Sequence, residues 1–378
     1  MRLLEGRQLQ LDTLIEEAER ILGDPKYQEL GRFWTDFYAL REAQRVPMRV
    51  TITMEFFARN LNIDLVDHYR KPEKYVEDSL RILRFQHEEI LDDRVLEGIV
   101  VNFGEVFESS LFGSKPVFKS RADPLMGEPV IRREEDLESL SYPDFYESGL
   151  MPKVLEVYET AERMVKGRVP VFFERWDRSP WGTAVHLRGF VELLTDILRK
   201  PDFVHRLLAF VTESRMRWER EKERFLGTRT ERGFLYDDEV DAKLFSPQMY
   251  ESFAHQYERE LANFYPKGIF YFHSCGNITP FLDIIADLRG LRRLHISPAT
   301  DFEVAVHKLG GRLAFQKRMR PLDDLALCDA RNMRLRIEEV LRVGRGSSME
   351  LDPGPILDVP LEKVKTWIDV AKKTIGSR

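Results

Sequence analysis

The stretch "GIFYFHSCGNITPFLDII", residues 268–285, carries an apolar, aromatic-rich run into His273-Ser274-Cys275-Gly276-Asn277 and then into an amphipathic segment. A short apolar run ending at such a polar turn reads as a buried strand, and the spacing after it reads as a helix. The whole chain holds only two cysteines and eight histidines, yet one of each stands here, two residues apart.

The same alternation extends in both directions. Strand candidates are "MRVTITM" (48–54), "GIVVNF" (98–103), "VPVFFER" (169–175), "GFLYDD" (233–238), "GIFYFHSC" (268–275), "LRRLHISP" (291–298), "RLAFQKRM" (312–319) and "SSMELDP" (347–353). Helical patterns lie between them, and several carry a proline near the first turn, where its missing N–H costs nothing: Pro72, Pro201, Pro247 after the N-cap candidate Ser246, and Pro280 after Thr279. The last helix is expected at 360–375, and two more, 9–22 and about 26–44, precede the first strand.

Eight strands alternating with helices in 378 residues predict an α/β protein of the (β/α)8 or TIM-barrel class. It would comprise an N-terminal helical extension (1–45), a barrel (46–378) and an insertion between the second and third strands. That insertion, about 104–168, is rich in Gly, Pro and charge and is expected as a loop or short hairpin over one barrel end. An open doubly wound sheet is the alternative.

Composition narrows the partners. Lys and Arg number 58 against 64 Asp and Glu, a formal charge of −6, so nucleic acid is not the expected ligand. The basic clusters are short and interleaved with acids or apolar residues, as on a solvated helix face. Two distant cysteines make no disulfide framework, and no signal-peptide core or membrane-length apolar run is visible. A soluble, cytoplasmic protein is expected.

In such barrels the chemistry lies at the C-terminal strand ends. Those ends hold Glu55; Asn102; Glu174, Arg175 and Asp177; Asp237, Asp238 and Glu239; His273 and Cys275; Ser297; Gln316 and Lys317; Glu350 and Asp352. If the strand persists through Cys275, alternation puts imidazole and thiol on one face, a pair suited to zinc. A buried cysteine beside a core histidine is the plain structural alternative. Cys328 reads as structural. A third metal ligand would then come from "SSMELDPG", where Asp352, nearer the strand end, is preferred to Glu350. Adjacent carboxylates at Asp237 and Asp238 could bind a cation, act as acid or base, or clamp substrate. We take Asp238 and Glu174 as candidate catalytic residues and Arg175, Asn102, Asp237 and Trp176 as candidate substrate contacts.

The segment "FHSCGNITPFL" resembles the H-x-C-G motif of the uroporphyrinogen decarboxylase superfamily, in its cobalamin-dependent methyltransferase branch. The resemblance runs through "FGEVFESSLFG", "EPVIRREEDLESL", "SPWGTAVHLRGFVELLTDILRKPDFVHRLL" and "DDEVDAKLFSPQMYESFAHQYEREL", covering roughly residues 45–376. It implies a (β/α)8 barrel and one-carbon chemistry. In the methyltransferase branch, zinc held by His, Cys and a late Cys binds a thiol that accepts methyl from a methylcobalamin protein. His273 and Cys275 match the first two ligands, whereas "MELDPG" stands where the late Cys would be. An oxygen-containing site suits related proteins that move methyl from an ether or amine onto cob(I)alamin.

The resemblance thus implies a zinc-dependent methyltransferase acting with the cobalamin of a separate corrinoid carrier protein, since the carrier motif D-x-H-x-x-G is not in this chain. The decarboxylase branch uses an M-R-Q-A-G-R pattern, where this chain reads "RVPMRVTITMEFFARNLNIDL". A metal-free decarboxylase or lyase, and a non-catalytic corrinoid or small-ligand binding protein, are the alternatives.

Overall fold

The computed structural model describes residues 2–41 and 45–376, with side chains from residue 9 onward. Residues 42–44, which end the second expected helix, lie outside the described residues. Two helices, Arg2–Leu22 and Pro25–Tyr38, come first, the second capped by Asp24 accepting from Lys26 N.

The strands in chain order are β1 (Ile99–Val100), β2 (Val117–Lys119), β3 (Ala122–Leu125), β4 (Val171–Phe172), β5 (Gly233–Tyr236), β6 (Ile269–His273), β7 (Arg293–Ile296), β8 (Ala314–Arg318) and β9 (Met349–Asp352). β5 to β9 form a five-stranded parallel sheet in sequence order. Its register sets Tyr236 beside His273, His295 beside Gln316, and Arg318 beside Asp352. Beyond β9, Met48 and Ile52 bridge in parallel to Leu351 and Ile356. Beyond β5, Arg178 bridges in parallel to Tyr236, and the chain reaching Arg178 comes from β4, which pairs in parallel with β1. Eight parallel segments thus follow one another, a succession consistent with the barrel expected from the sequence.

The first of these segments makes isolated bridges rather than a strand. Its polar side chains are engaged sideways instead: Arg49 pairs with Glu350, and the Thr51 hydroxyl donates to Asp352. The chain then enters the helix Met54–Leu61 directly. The span 104–168 contains the antiparallel hairpin β2/β3 and the helix Met151–Val165. That helix departs from the expected loop or short hairpin, and Met151, Val154, Val157, Ala161 and Val165 bury one of its faces at helical spacing. The hairpin is pinned to the segment that follows the first parallel stretch, with Leu65 N donating to Ser120 O and Asp123 N to Glu55 Oε1.

The second helix sits at the end of the sheet away from His273. Tyr38 packs edge-on against Phe270 at 5.1 Å and accepts from Arg49 at 3.0 Å, and Trp34 lies under the Arg49 guanidinium. Phe270 and Arg293 stand at the starts of β6 and β7, so these contacts close the N-terminal ends of the strands. The C-terminal ends stay free to build a site. No helix among the described residues is long and apolar enough to cross a membrane.

Candidate metal centre

β6 ends at His273, so strand alternation does not carry on to Cys275 as expected. The chain bends there because the loops after β5 and β6 are fastened together. Asp237 N donates to His273 O at 2.9 Å, the Ser274 hydroxyl to Val240 O at 2.9 Å, and Ala242 N to Asn277 O at 2.9 Å. Gly276 makes this approach possible, since a Cβ there would stand 2.2 Å from the Val240 carbonyl. The bend brings the Cys275 sulfur back to 3.4 Å from His273 Nε2, and the parallel loop brings Asp238 Oδ1 to 3.1 Å from the same nitrogen. One donor atom from each of the three residues lies within 4.8 Å of the others. Imidazole and thiol are therefore neighbours, but through a turn. We expect Gly276→Ala to cost about 1–3 kcal/mol of stability, as overpacking does. Chemical denaturation would measure it, and an unchanged midpoint would show that the two loops are not so tightly joined.

The electrostatics of the three residues call for a cation. Burial works against ionisation of Asp238, but His273, the Cys275 thiol and Arg178 outweigh it and hold the carboxyl below the usual range. Its Oδ1 is buried and faces His273 Nε2 at 3.1 Å. Burial, reinforced by Asp238, pushes the Cys275 thiol up to about 12. A divalent ion among the three would satisfy Oδ1 and pull the thiol toward thiolate. Nitrogen, sulfur and oxygen donors are a set that zinc takes, so these residues fit it.

The surroundings hold the donors still. His273 lies between Tyr236, at 5.0 Å, and His295, at 3.9 Å. His295 donates Nδ1–H to Ser274 O at 2.7 Å, and burial, with His273 and Arg318, pushes its pKa far down, so this ring is neutral. Behind Asp238, Arg178 joins Glu239 at 2.7 Å and Glu105 at 3.2 Å, while Glu108 accepts from the amides of Asp177 and Arg178.

The other candidates from the sequence stand elsewhere. Asp352 is fully buried and surrounded by donors: Thr51, Gln316, Gly354 and Arg318. Glu350 is buried between Arg49 and Arg293. Neither of these β9 carboxylates belongs to the donor group, because alternation points both onto one face of the sheet, where arginines neutralise them. Asp237 is fully buried, its carboxyl raised well above the usual range by burial and by Glu258, and it is not in the donor group. Glu174 is buried and accepts from Phe103 N at 2.6 Å and Arg175 N at 3.0 Å, which ties the ends of β1 and β4 together. Burial pushes its carboxyl up to about 8 against those two bonds. Trp176 is a core residue, packed on Trp218 and Phe112, and not a surface for ligand. Arg175, half exposed, pairs with Asp177 at 2.9 Å, and the exposed Asn102 accepts from Gly104 N. Cys328 is buried, as expected. Thr279 caps nothing in its own helix, and its hydroxyl accepts from Asp301 N.

Tyr271 and Gln316, to which the sequence assigns no role, both connect to this centre, Tyr271 meeting His273 Nδ1 and Gln316 meeting Tyr271. Tyr271 stands two residues before His273 on the same strand face, and that spacing was the available signal.

Parallel strands whose C-terminal ends gather nitrogen, sulfur and oxygen donors at one point define an α/β protein with a candidate metal centre. The chain belongs to the uroporphyrinogen decarboxylase (URO-D) family, whose model matches residues 37–374. Among solved structures it is similar to a methyltransferase from Methanosarcina mazei, with a TM-score of 0.69 and 17% identity over 91% of this chain and 98% of that one. At that identity the likeness establishes a shared fold. No curated protein matches the sequence.

Proposed function

We propose that this protein is a zinc-dependent methyltransferase, moving a methyl group between a small-molecule donor or acceptor and the cobalamin of a separate corrinoid protein. The observation that carries the reading is the convergence of His273, Cys275 and Asp238 donor atoms within 4.8 Å at the C-terminal end of a parallel sheet. The fold shared with a methyltransferase supports it. We take the eight parallel segments as a closed (β/α)8 barrel, which puts this centre at the barrel mouth.

In this reading Asp238, rather than Asp352 or Glu350, is the third ligand and replaces the late cysteine. Bound there, zinc would supply a Lewis acid toward an oxygen, nitrogen or sulfur atom of the methyl donor or acceptor. Asp238 in place of a thiolate makes the donor set harder, which favours an oxygen or nitrogen substrate over a thiol. Arg175 and Asn102, exposed at the neighbouring strand ends, would contact the rest of the substrate. Glu174 would hold the strands beneath them through its two amide bonds.

The test mixes zinc-loaded protein with cob(I)alamin and panels of methyl ethers, methylamines and methyl thioethers, and follows methylcobalamin by its visible spectrum. Methylcobalamin that forms with zinc and is lost on chelation supports the proposal. Carbon dioxide release from a carboxylated substrate by metal-free protein would favour the decarboxylase reading instead. Ligand-induced spectral shifts without turnover would mark a binding protein.

A further inference from the structure

We propose that Tyr271, Gln316 and Asp352 form a hydrogen-bond relay that holds His273 as its Nδ1–H tautomer, so that the Nε2 lone pair faces the metal position. The inference builds on the zinc reading above, but the tautomer it assigns can be measured without zinc.

The direction of every bond follows from the far end. Asp352 is surrounded only by donors. Thr51 N at 3.1 Å and Gly354 N at 2.9 Å reach Oδ1. The Thr51 hydroxyl at 2.6 Å and Arg318 Nη2 at 3.2 Å reach Oδ2. Burial disfavours the charge, yet Arg318, Thr51 and Gly354 outweigh it and keep this carboxyl below the usual range. An ionised carboxylate only accepts. The Gln316 group 2.7 Å from Asp352 Oδ2 is therefore its NH2, which turns the amide oxygen toward Tyr271.

That oxygen lies 2.5 Å from the Tyr271 hydroxyl and carries no proton, so Tyr271 must donate to it. A phenol has one proton. At its other contact, 2.9 Å from His273 Nδ1, Tyr271 can only accept, and Nδ1 must carry the hydrogen. Tyr271, Gln316 and Asp352 are 2%, 4% and 0% exposed, which leaves little access for water to rewire the chain.

The consequence lies on the other side of the ring. The opposite tautomer would place a hydrogen on Nε2, between the imidazole and Asp238 Oδ1 at 3.1 Å, and that internal hydrogen bond would close the metal position. The relay prevents this. Partners of a ligating imidazole fix its tautomer and orientation in this way, and losing one costs about 10–100-fold in metal affinity. Asp352 and Gln316 are thus positioning residues acting through Tyr271, and none of the three touches the metal.

The experiment is nitrogen-15 NMR of histidine-labelled, zinc-free protein at a pH where the ring is neutral. His273 would be assigned by its loss in His273→Ala. The expected signal is a protonated Nδ1 with a bare Nε2. Tyr271→Phe keeps the ring that packs on Tyr236 and Arg293 but removes the hydroxyl. It should shift His273 toward the Nε2–H form and lower zinc affinity about 10–100-fold in chelator competition. Asp352→Asn, where it folds, should let the Gln316 amide turn over and shift the tautomer the same way. A merely structural Tyr271 would change the melting temperature and leave the tautomer as it was. A protonated Nε2 in the neutral wild-type ring, or a tautomer unmoved in Tyr271→Phe, overturns the relay. If the tautomers behave as stated but the wild type takes up no zinc, the relay stands and the zinc reading falls.

Discussion

His273→Ala and Asp238→Ala should each lose zinc by more than the roughly 100-fold that removal of an outer partner costs, because each removes a donor atom itself. Wild-type protein purified without chelator should carry about one zinc per chain, measured by elemental analysis. The thiol of Cys275, pushed up to about 12 by burial and Asp238, gives this prediction a pH dependence. Zinc takes a thiolate, so binding expels a proton that the metal-free thiol holds at neutral pH. Affinity must therefore rise with pH and fall in acid, by about tenfold per unit for each proton displaced. Zinc content that is flat from acid to alkaline pH and survives both substitutions would remove the proposed ligand set.

The second large effect is on stability and leaves the metal alone. Glu350 is almost fully buried, with Arg49 on one oxygen at 3.0 Å and Arg293 on the other. Glu350→Gln keeps the shape and deletes the charge, leaving the Arg293 guanidinium buried without its partner. Breaking such a pair costs about 3–5 kcal/mol, and the part of Arg49 that reaches solvent argues for the lower end. Urea unfolding should record that loss, while the folded fraction keeps its zinc. The reverse pattern, normal stability with zinc lost, would return Glu350 to the ligand list.

The two carboxylates of "MELDPG" show how the sequence misleads at this point. Both sit at the end of a strand and alternate onto the same face, as the sequence implied. What the face meets is invisible locally. Arg293 comes from β7, Arg318 from β8, and Arg49 and Thr51 from the far end of the chain. Asp238 presents the opposite case. It was legible as a chemically significant carboxylate, but its role depended on a loop-to-loop hydrogen bond, from Asp237 N to His273 O.

Much of the fold was legible because it rests on local rules. Pro72 and Pro201 open their helices, Ser246 caps at Met249 N, and each of the last five strand candidates contains an observed strand. The first candidate is in parallel register as expected but pairs only at two isolated bridges, Met48 to Leu351 in β9 and Ile52 to Ile356 beyond it, while its side chains reach across to acids on β9.

What "GIFYFHSCGNITPFLDII" determined by itself was a buried strand, a histidine at its end, and a glycine that lets the chain turn. Tertiary structure decided which third donor joins His273 and Cys275, and which way the imidazole's hydrogen points. Apolar periodicity and caps are read over a few neighbouring residues, and one chain segment contains them whole. A donor set and a hydrogen-bond direction are properties of atoms brought together from different strands, and only the folded packing supplies their distances.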